Sequence, residues 1–233
     1  MRRFSLAAFA LCVAPLTAAD TKTLYEQNFA TADGVKAFTF TDPNVWKRGD
    51  GFLELAYDKK AYKNAYNPKN RSPFHIALLA DRVFTDFTLD CELQSTIAPY
   101  GHQDVCLFFG FEAPQKFYYV HIARAADPNA HNVFIVNDAP RKNFAKETTK
   151  GVDWKADTWH KVRLTRDTKS GTIEVFFDDM TKPIMKAEDK TFVKGHIGFG
   201  SFDDTMKVRN VKVTGTAADV LKEPATWFKP LAK

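Results

Sequence analysis

The chain is poor in the features that name a function outright. Three cysteines in 233 residues, none at the short spacings of a zinc ribbon or redox motif, exclude a cysteine-built metal scaffold. No apolar run reaches the roughly 20 residues that a membrane-spanning helix needs. The longest, Phe4 to Leu16, is interrupted by Pro15, so no permanent membrane anchor is expected. No stretch longer than about a dozen residues carries a convincing helical period, which argues against a helical protein. Excess charge is also scarce. Removing Arg2 and Arg3 with a leader lowers the 33 basic residues to 31 against 28 acidic ones, and so mild and diffuse a balance gives no expectation of nucleic acid binding.

What is present begins with that leader. Arg2 and Arg3, the apolar "FSLAAFALCVAPL" and the small residues Thr17, Ala18 and Ala19 have the order of a secretory signal peptide. Residues 1–19 are therefore expected to be removed, and the protein to be periplasmic or secreted. "FAL" before Cys12 does not resemble a lipoprotein cleavage box. In an oxidising compartment the two remaining cysteines, Cys91 and Cys106, either pair across a hairpin or stay free as small apolar core residues; both readings stay open.

The mature chain reads as short runs of Val, Ile, Phe and Tyr punctuated by Gly, Pro, Asn and Asp, among them "FHIALLA", "DFTLDCELQ", "VCLFFGFE", "KFYYVHIAR", "NVFIVND", "HKVRLTRD" and "TIEVFFDD". This is the pattern of an all-β antiparallel sandwich. In "DFTLDCELQ", Phe87, Leu89, Cys91 and Leu93 alternate with Thr88, Asp90, Glu92 and Gln94, which gives that strand one wet face. "VCLFFGFE" is apolar or small on both faces, as a central strand would be, and Gly110 marks a bulge or close approach. Helix is expected only at "AADVLK" near the C-terminus. Residues 20–215 read as one domain and 216–233 as a tail.

Several stretches resemble a known superfamily. "DTWHKVRLTRDTKSGTIEVFFDD" resembles the paired central strands of laminin-G-like and concanavalin A-like domains, and "GHIGFGSFDDTMKVRNVKV" resembles their closing strands. "LYEQNFATADG" and "VWKRGDGFLELA" resemble the opening strand and hairpin of that fold. The resemblance covers most of residues 24–215 and implies a concanavalin A-like jelly roll. Within the superfamily the order of elements is most similar to secreted bacterial 3-keto-disaccharide hydrolase-type domains, loosely grouped with family 16 glycoside hydrolases. The "ExDxxE" strand of true family 16 enzymes is absent, and Asp90 and Glu92 stand side by side rather than across a glycosidic bond. Calcium is the structural ion the resemblance implies, with Glu26, Asp203 and Asp204 as its carboxylates.

Candidate site residues come from "KFYYVHIARAADPNAHNVFIVNDAPR". On an extended strand Phe117, Tyr119, His121 and Ala123 share one face, and Tyr118, Val120, Ile122 and Arg124 the other. Tyr119 and His121 are then neighbours, fit for proton transfer, for sugar binding, or simply for a satisfied place in the core. Arg141 after "DAP" could hold a developing oxyanion. Candidate binding residues are His102, Asp104, Arg124, His131, Asn132 and Arg71; His102 and Asp104 with His121 or His131 also form a possible metal set. Arg71 closes the basic, tyrosine-bearing connection "DKKAYKNAYNPKNRSP".

Three functions follow: an exported module that engages oligo- or polysaccharide through its concave face and loops; a glycoside-cleaving enzyme of the 3-keto-disaccharide hydrolase type, with His121, Tyr119 and Arg141 catalytic; or a structural envelope protein. Mass spectrometry of the exported protein should find a chain beginning at Asp20. Retention of residues 1–19 would overturn the leader reading.

Overall fold

The structure, a computed structural model, describes residues 21–231 apart from residue 64; the expected leader lies outside the described residues. In chain order the strands are β1 (Lys22–Gln27), β2 (Phe38–Phe40), β3 (Trp46–Arg48), β4 (Leu53–Leu55), β5 (His75–Leu79), β6 (Arg82–Phe84), β7 (Phe87–Ser95), β8 (Asp104–Ala113) and β9 (Lys116–Ala123). They continue with β10 (Asn132–Asn137), β11 (Lys142–Asn143), β12 (Ala145–Thr148), β13 (His160–Arg166), β14 (Thr172–Phe177), β15 (Met185–Glu188), β16 (His196–Ser201), β17 (Met206–Gly215) and β18 (Ala218–Val220).

Two antiparallel sheets carry the fold. One has the order β12-β15-β14-β13-β7-β17-β4-β3, with β1 also on β17; the other, called here the site sheet, runs β11-β10-β9-β8-β16-β5-β2. The alternation of β7 works as its sequence implies: Phe87, Leu89, Cys91 and Leu93 are buried while Thr88, Asp90 and Glu92 are half-buried. The core between the sheets takes Leu89, Leu164, Val175, Val208 and Val213 from one side and Ala77, Leu107, Phe109, Tyr118, Val120 and Phe199 from the other.

The site sheet is apolar on its outer face as well. Ile76, Leu78, Cys106, Phe108, Phe111, Phe117, Tyr119, Phe134 and Val136 form a second cluster there, with Phe228 of the C-terminal segment laid over them. This is why "VCLFFGFE" and "KFYYVHIA" carry no polar alternation: both faces of β8 and β9 are covered. Gly110 has φ +53° and sits where the β8–β9 register shifts, a bulge that glycine accommodates.

One expectation is corrected, and one open reading is closed. "AADVLK" contains no helix; Ala218–Val220 pairs with Arg82–Phe84 as a short ladder, because the β6 edge supplies partners that an isolated six-residue helix lacks. Cys91 and Cys106 are both free. They sit on different sheets, Cys91 in the inter-sheet core and Cys106 on the outer face, so no bridge joins them. In the C-terminal segment Ala225 N donates to Ala80 O, and Lys229 bridges Phe40 at the edge of the site sheet. Among the described residues no helix is long and apolar enough to cross a membrane.

The long connection between β4 and β5 is fastened by rings. Tyr57 and Tyr62 pack at a tilt against His75, with centroids 4.7 and 5.3 Å away. His75 is fully buried, neither ring nitrogen has a partner, and burial lowers its pKa to about 4. His131, also fully buried, is lowered to about 4 by the same cause.

Two outcomes follow. Both histidines bind protons more readily unfolded, so stability is full above about pH 6.5 and falls as the pH drops toward 4, by on the order of 3 kcal/mol each; thermal melts across that window should show the fall and His75→Phe should remove about half of it, whereas a pH-independent melting temperature would contradict the burial argument. Separately, a Cβ on Gly200 of β16 would overlap the His75 carbonyl oxygen across the ladder, so Gly200→Ala should cost about 3 kcal/mol in denaturant unfolding, and an unchanged midpoint would show that the strands can part.

Candidate functional site

The floor of the site is built where β8 begins and β9 and β16 end. Asp104 and Cys106 are two residues apart on β8 and share a face. Antiparallel pairing sets His121 of β9 opposite Cys106. Ser201, the last residue of β16, donates its hydroxyl to Asp104 Oδ1. The other Asp104 oxygen meets His121 Nε2, and His121 Nδ1 lies 3.1 Å from the Asn129 carbonyl. Both neighbours of this ring are oxygens that ordinarily accept, so a proton or a metal ion is needed between His121 Nε2 and Asp104.

Loops raise the walls. Tyr100 and His102 come from the β7–β8 loop, Asn129 from the β9–β10 loop, Arg141 from the turn before β11, Arg71 from the long connection, and Phe202 and Asp203 from the turn after β16. Together with Asp104 and His121 they line a cleft of about 240 Å³. A second cavity of about 540 Å³ adjoins it, sharing Arg71, Phe202 and Asp203 and adding Asn67, Pro68, Ser72 and Phe74. Phe202 is the partition: the Arg141 guanidinium lies 4.7 Å from its ring centroid and that of Arg71 5.9 Å.

Beneath the walls Asp204 is fully buried and acts as the tie-post. It accepts from Lys59 Nζ at 2.6 Å, from Tyr100 Oη at 2.8 Å and from the Asp104 backbone N–H at 2.9 Å. Burial, then the nearby Asp104 charge, raise its pKa. One carboxylate thus joins the long connection, the β7–β8 loop and the start of β8. His102 is held at the rim by Asp127 at 2.5 Å.

Of the residues singled out in the sequence, His121, Arg141, His102, Asp104, Arg71 and Asp203 meet in this one cleft. Tyr119 lies under it, fully buried, stacked on Phe134 with its hydroxyl taking Arg141 Nη1 at 2.8 Å; burial raises its pKa. It positions Arg141 and presents no free surface. Three others point elsewhere. Arg124 forms a surface pair with Asp153. His131 accepts from the Ala123 N–H and contacts Thr149 Oγ1. Asn132 accepts from the Val133 and Ala145 N–H groups, a turn-fixing role.

The expected calcium set does not assemble. Glu26 on β1 pairs with Lys212, six residues beyond Met206 on β17, roughly 20 Å of extended strand from the Asp203–Asp204 turn. The Asp204 oxygens are already occupied by Lys59, Tyr100 and Asp104. Tyr100, Phe202, Ser201 and Cys106 were not singled out for the site. Only the period-2 relation of Asp104 to Cys106 could have flagged any of them, since the rest depend on loop positions that strand periodicity does not encode.

No family model matches the chain, and no curated protein matches it. Solved structures do. The carbohydrate-binding module CBM66 from Bacillus subtilis superposes with a TM-score of 0.56 at 14% identity, covering 78% of this chain and 97% of that one. A candidate glycosyl hydrolase from Parabacteroides distasonis gives 0.53 at 14%, over 81% and 98%. Peanut lectin gives 0.53 at 15%, over 88% and 100%. At such identities the likeness is one of architecture, and with the two-sheet topology it establishes that the chain has the concanavalin A-like lectin/glucanase-type fold.

Proposed function

We propose that the protein is an exported glycan-binding β-sandwich whose site is the strand-end cleft and its neighbour. The observation that carries this reading is that two adjoining cavities share Arg71, Phe202 and Asp203 as a common wall. A half-buried ring between two guanidinium groups, with carboxylate and amide at the edges, offers a sugar an apolar face to stack on and donors and acceptors for its hydroxyls. The larger cavity, about 540 Å³, falls in the roughly 300–1,000 Å³ range of small-molecule sites. The likeness to a carbohydrate-binding module and a lectin supports the reading. The middle of the outer face is filled by Phe108, Phe111, Phe117 and Phe134 under Phe228, so binding belongs to the loop end rather than to the sheet as a whole.

A second reading, cleavage of 3-keto disaccharides, is favoured by one feature: a buried Asp104–His121 pair at the bottom of the cleft. A 3-keto group acidifies the C2 proton, so elimination removes that proton, breaks the C1–oxygen bond and returns a proton to the departing oxygen. Arg141, in the wall of the same cleft, is placed to hold the oxygen on which charge develops. Asp203, exposed and bordering both cavities, would then be the base.

Calorimetric titration with plain oligosaccharides, run beside mass detection of products from plain and 3-keto glycosides, separates the readings. The binding module predicts affinity for plain glycans without turnover, weakened about tenfold by Arg71→Ala and by Asp203→Ala with folding intact. Turnover confined to keto sugars would replace it with the enzyme. Neither binding nor turnover would overturn both and leave the structural envelope role.

A further inference from the structure

We propose that Asp104, Cys106 and His121 form a binding site for a divalent transition metal, best matched by zinc, with an open coordination position facing the cleft. One ligand atom from each residue lies within 4.8 Å of the others, and all three residues are buried. Their convergence is built into the sheet. Asp104 and Cys106 stand two apart on β8, and the β8–β9 register presents His121 directly across from Cys106, so three rigid backbone positions aim one oxygen, one sulfur and one nitrogen at a common point.

The surroundings are those of a ligand set. Metal-binding histidines generally give their other ring N–H to a carbonyl or carboxylate, and His121 Nδ1 faces the Asn129 carbonyl. A hydrogen on Nδ1 leaves the Nε2 lone pair pointing at a carboxylate oxygen. Two acceptors so placed need a cation between them. A proton meets that need for His121 and Asp104 alone, but it does not engage Cys106, the third group at the same point. Ser201 holds the outer oxygen of Asp104 and fixes which oxygen turns inward.

Donor chemistry selects the ion. Thiolate and imidazole with a single carboxylate suit zinc and its soft neighbours, whereas calcium takes six to eight oxygens. A metal takes cysteine as thiolate and histidine as neutral imidazole, so uptake here would be accompanied by proton release. Asp104 and His121 both border the cleft while Cys106 closes the site from below. Three protein ligands from the floor leave the fourth position to water or to an oxygen of whatever occupies the cleft. The site stands on the sheet geometry and does not depend on the glycan reading.

The test uses the full mature chain without an affinity tag, stripped with chelator, then dialysed separately against zinc and cobalt(II). Bound metal is counted by elemental mass spectrometry, and the cobalt form is examined for a near-ultraviolet thiolate-to-metal charge-transfer band. One ion per chain is expected, with that band, undiminished by excess calcium or magnesium. Cys106→Ala should abolish the band, His121→Gln should abolish stoichiometric uptake, and Cys91→Ala should change neither, because Cys91 lies in the inter-sheet core. Absence of stoichiometric uptake by the unmutated chain, cobalt bound without the thiolate band, or uptake unaltered in both site variants would each overturn the proposal. The first two readings need no variant, so a variant that fails to fold does not shelter it.

Discussion

Everything at the site depends on the register of β8 against β9. Side chains alternate along a strand, so pairing Cys106 with His121 and Leu107 with Val120 decides two things together: which residues fill the space between the sheets and which stand on the outer face. A slip by one residue would send Tyr118, Val120 and Ile122 outward and bury His121 between the sheets. The register is held from both sides, by the apolar inner set and by the outer rings of Phe111 stacked on Phe117, while Tyr119 stacked on Phe134 fixes β9 against β10. The site residues inherit a precision set by core packing several positions away.

The loops that complete the cleft need a different kind of support, because they bury little apolar surface of their own. Here a buried carboxylate supplies it. Asp204 is out of reach of water, and removing a charge from water is tolerated only when it is paired and hydrogen-bonded. That requirement pulls Lys59 and Tyr100 inward from two separate loops. The rings of Tyr57 and Tyr62 against His75 fasten the same first stretch of the long connection, and near its end Asn70 donates to Gln115 Oε1 through both its backbone and its side-chain nitrogen.

The sheet residues were legible in the sequence because period-2 alternation is local. The sharing of one face by Phe117, Tyr119 and His121, and the doubly covered β8, could be read without knowing any partner strand. Arg141, His102 and Arg71 were legible only as polar residues in loops near those strands, and the same argument that selected them also selected Arg124, His131 and Asn132, which turn away. Periodicity cannot separate these sets, since a loop side chain's direction is set by contacts such as Asp153 with Arg124 or Ala145 N–H with Asn132. The helix expected at "AADVLK" failed for a related reason: a short segment takes the structure its neighbour offers, and β6 offered an unpaired edge. Glu26 and the Asp203–Asp204 turn were joined by resemblance alone, and the length of β17 keeps them apart.

The C-terminal segment has a consequence for how the molecule meets its own copies. β2 is the terminal strand of the site sheet, and an exposed strand of that kind is a template for association with another chain. Lys229 bridges Phe40 there, with hydrogen bonds in both directions, and Phe228 seals the adjoining rings. At its other border the sheet ends in β11, only two residues long. The sheet that carries the site is therefore closed to edge-to-edge growth at one side and truncated at the other, which keeps a strongly aromatic sheet from recruiting further strands.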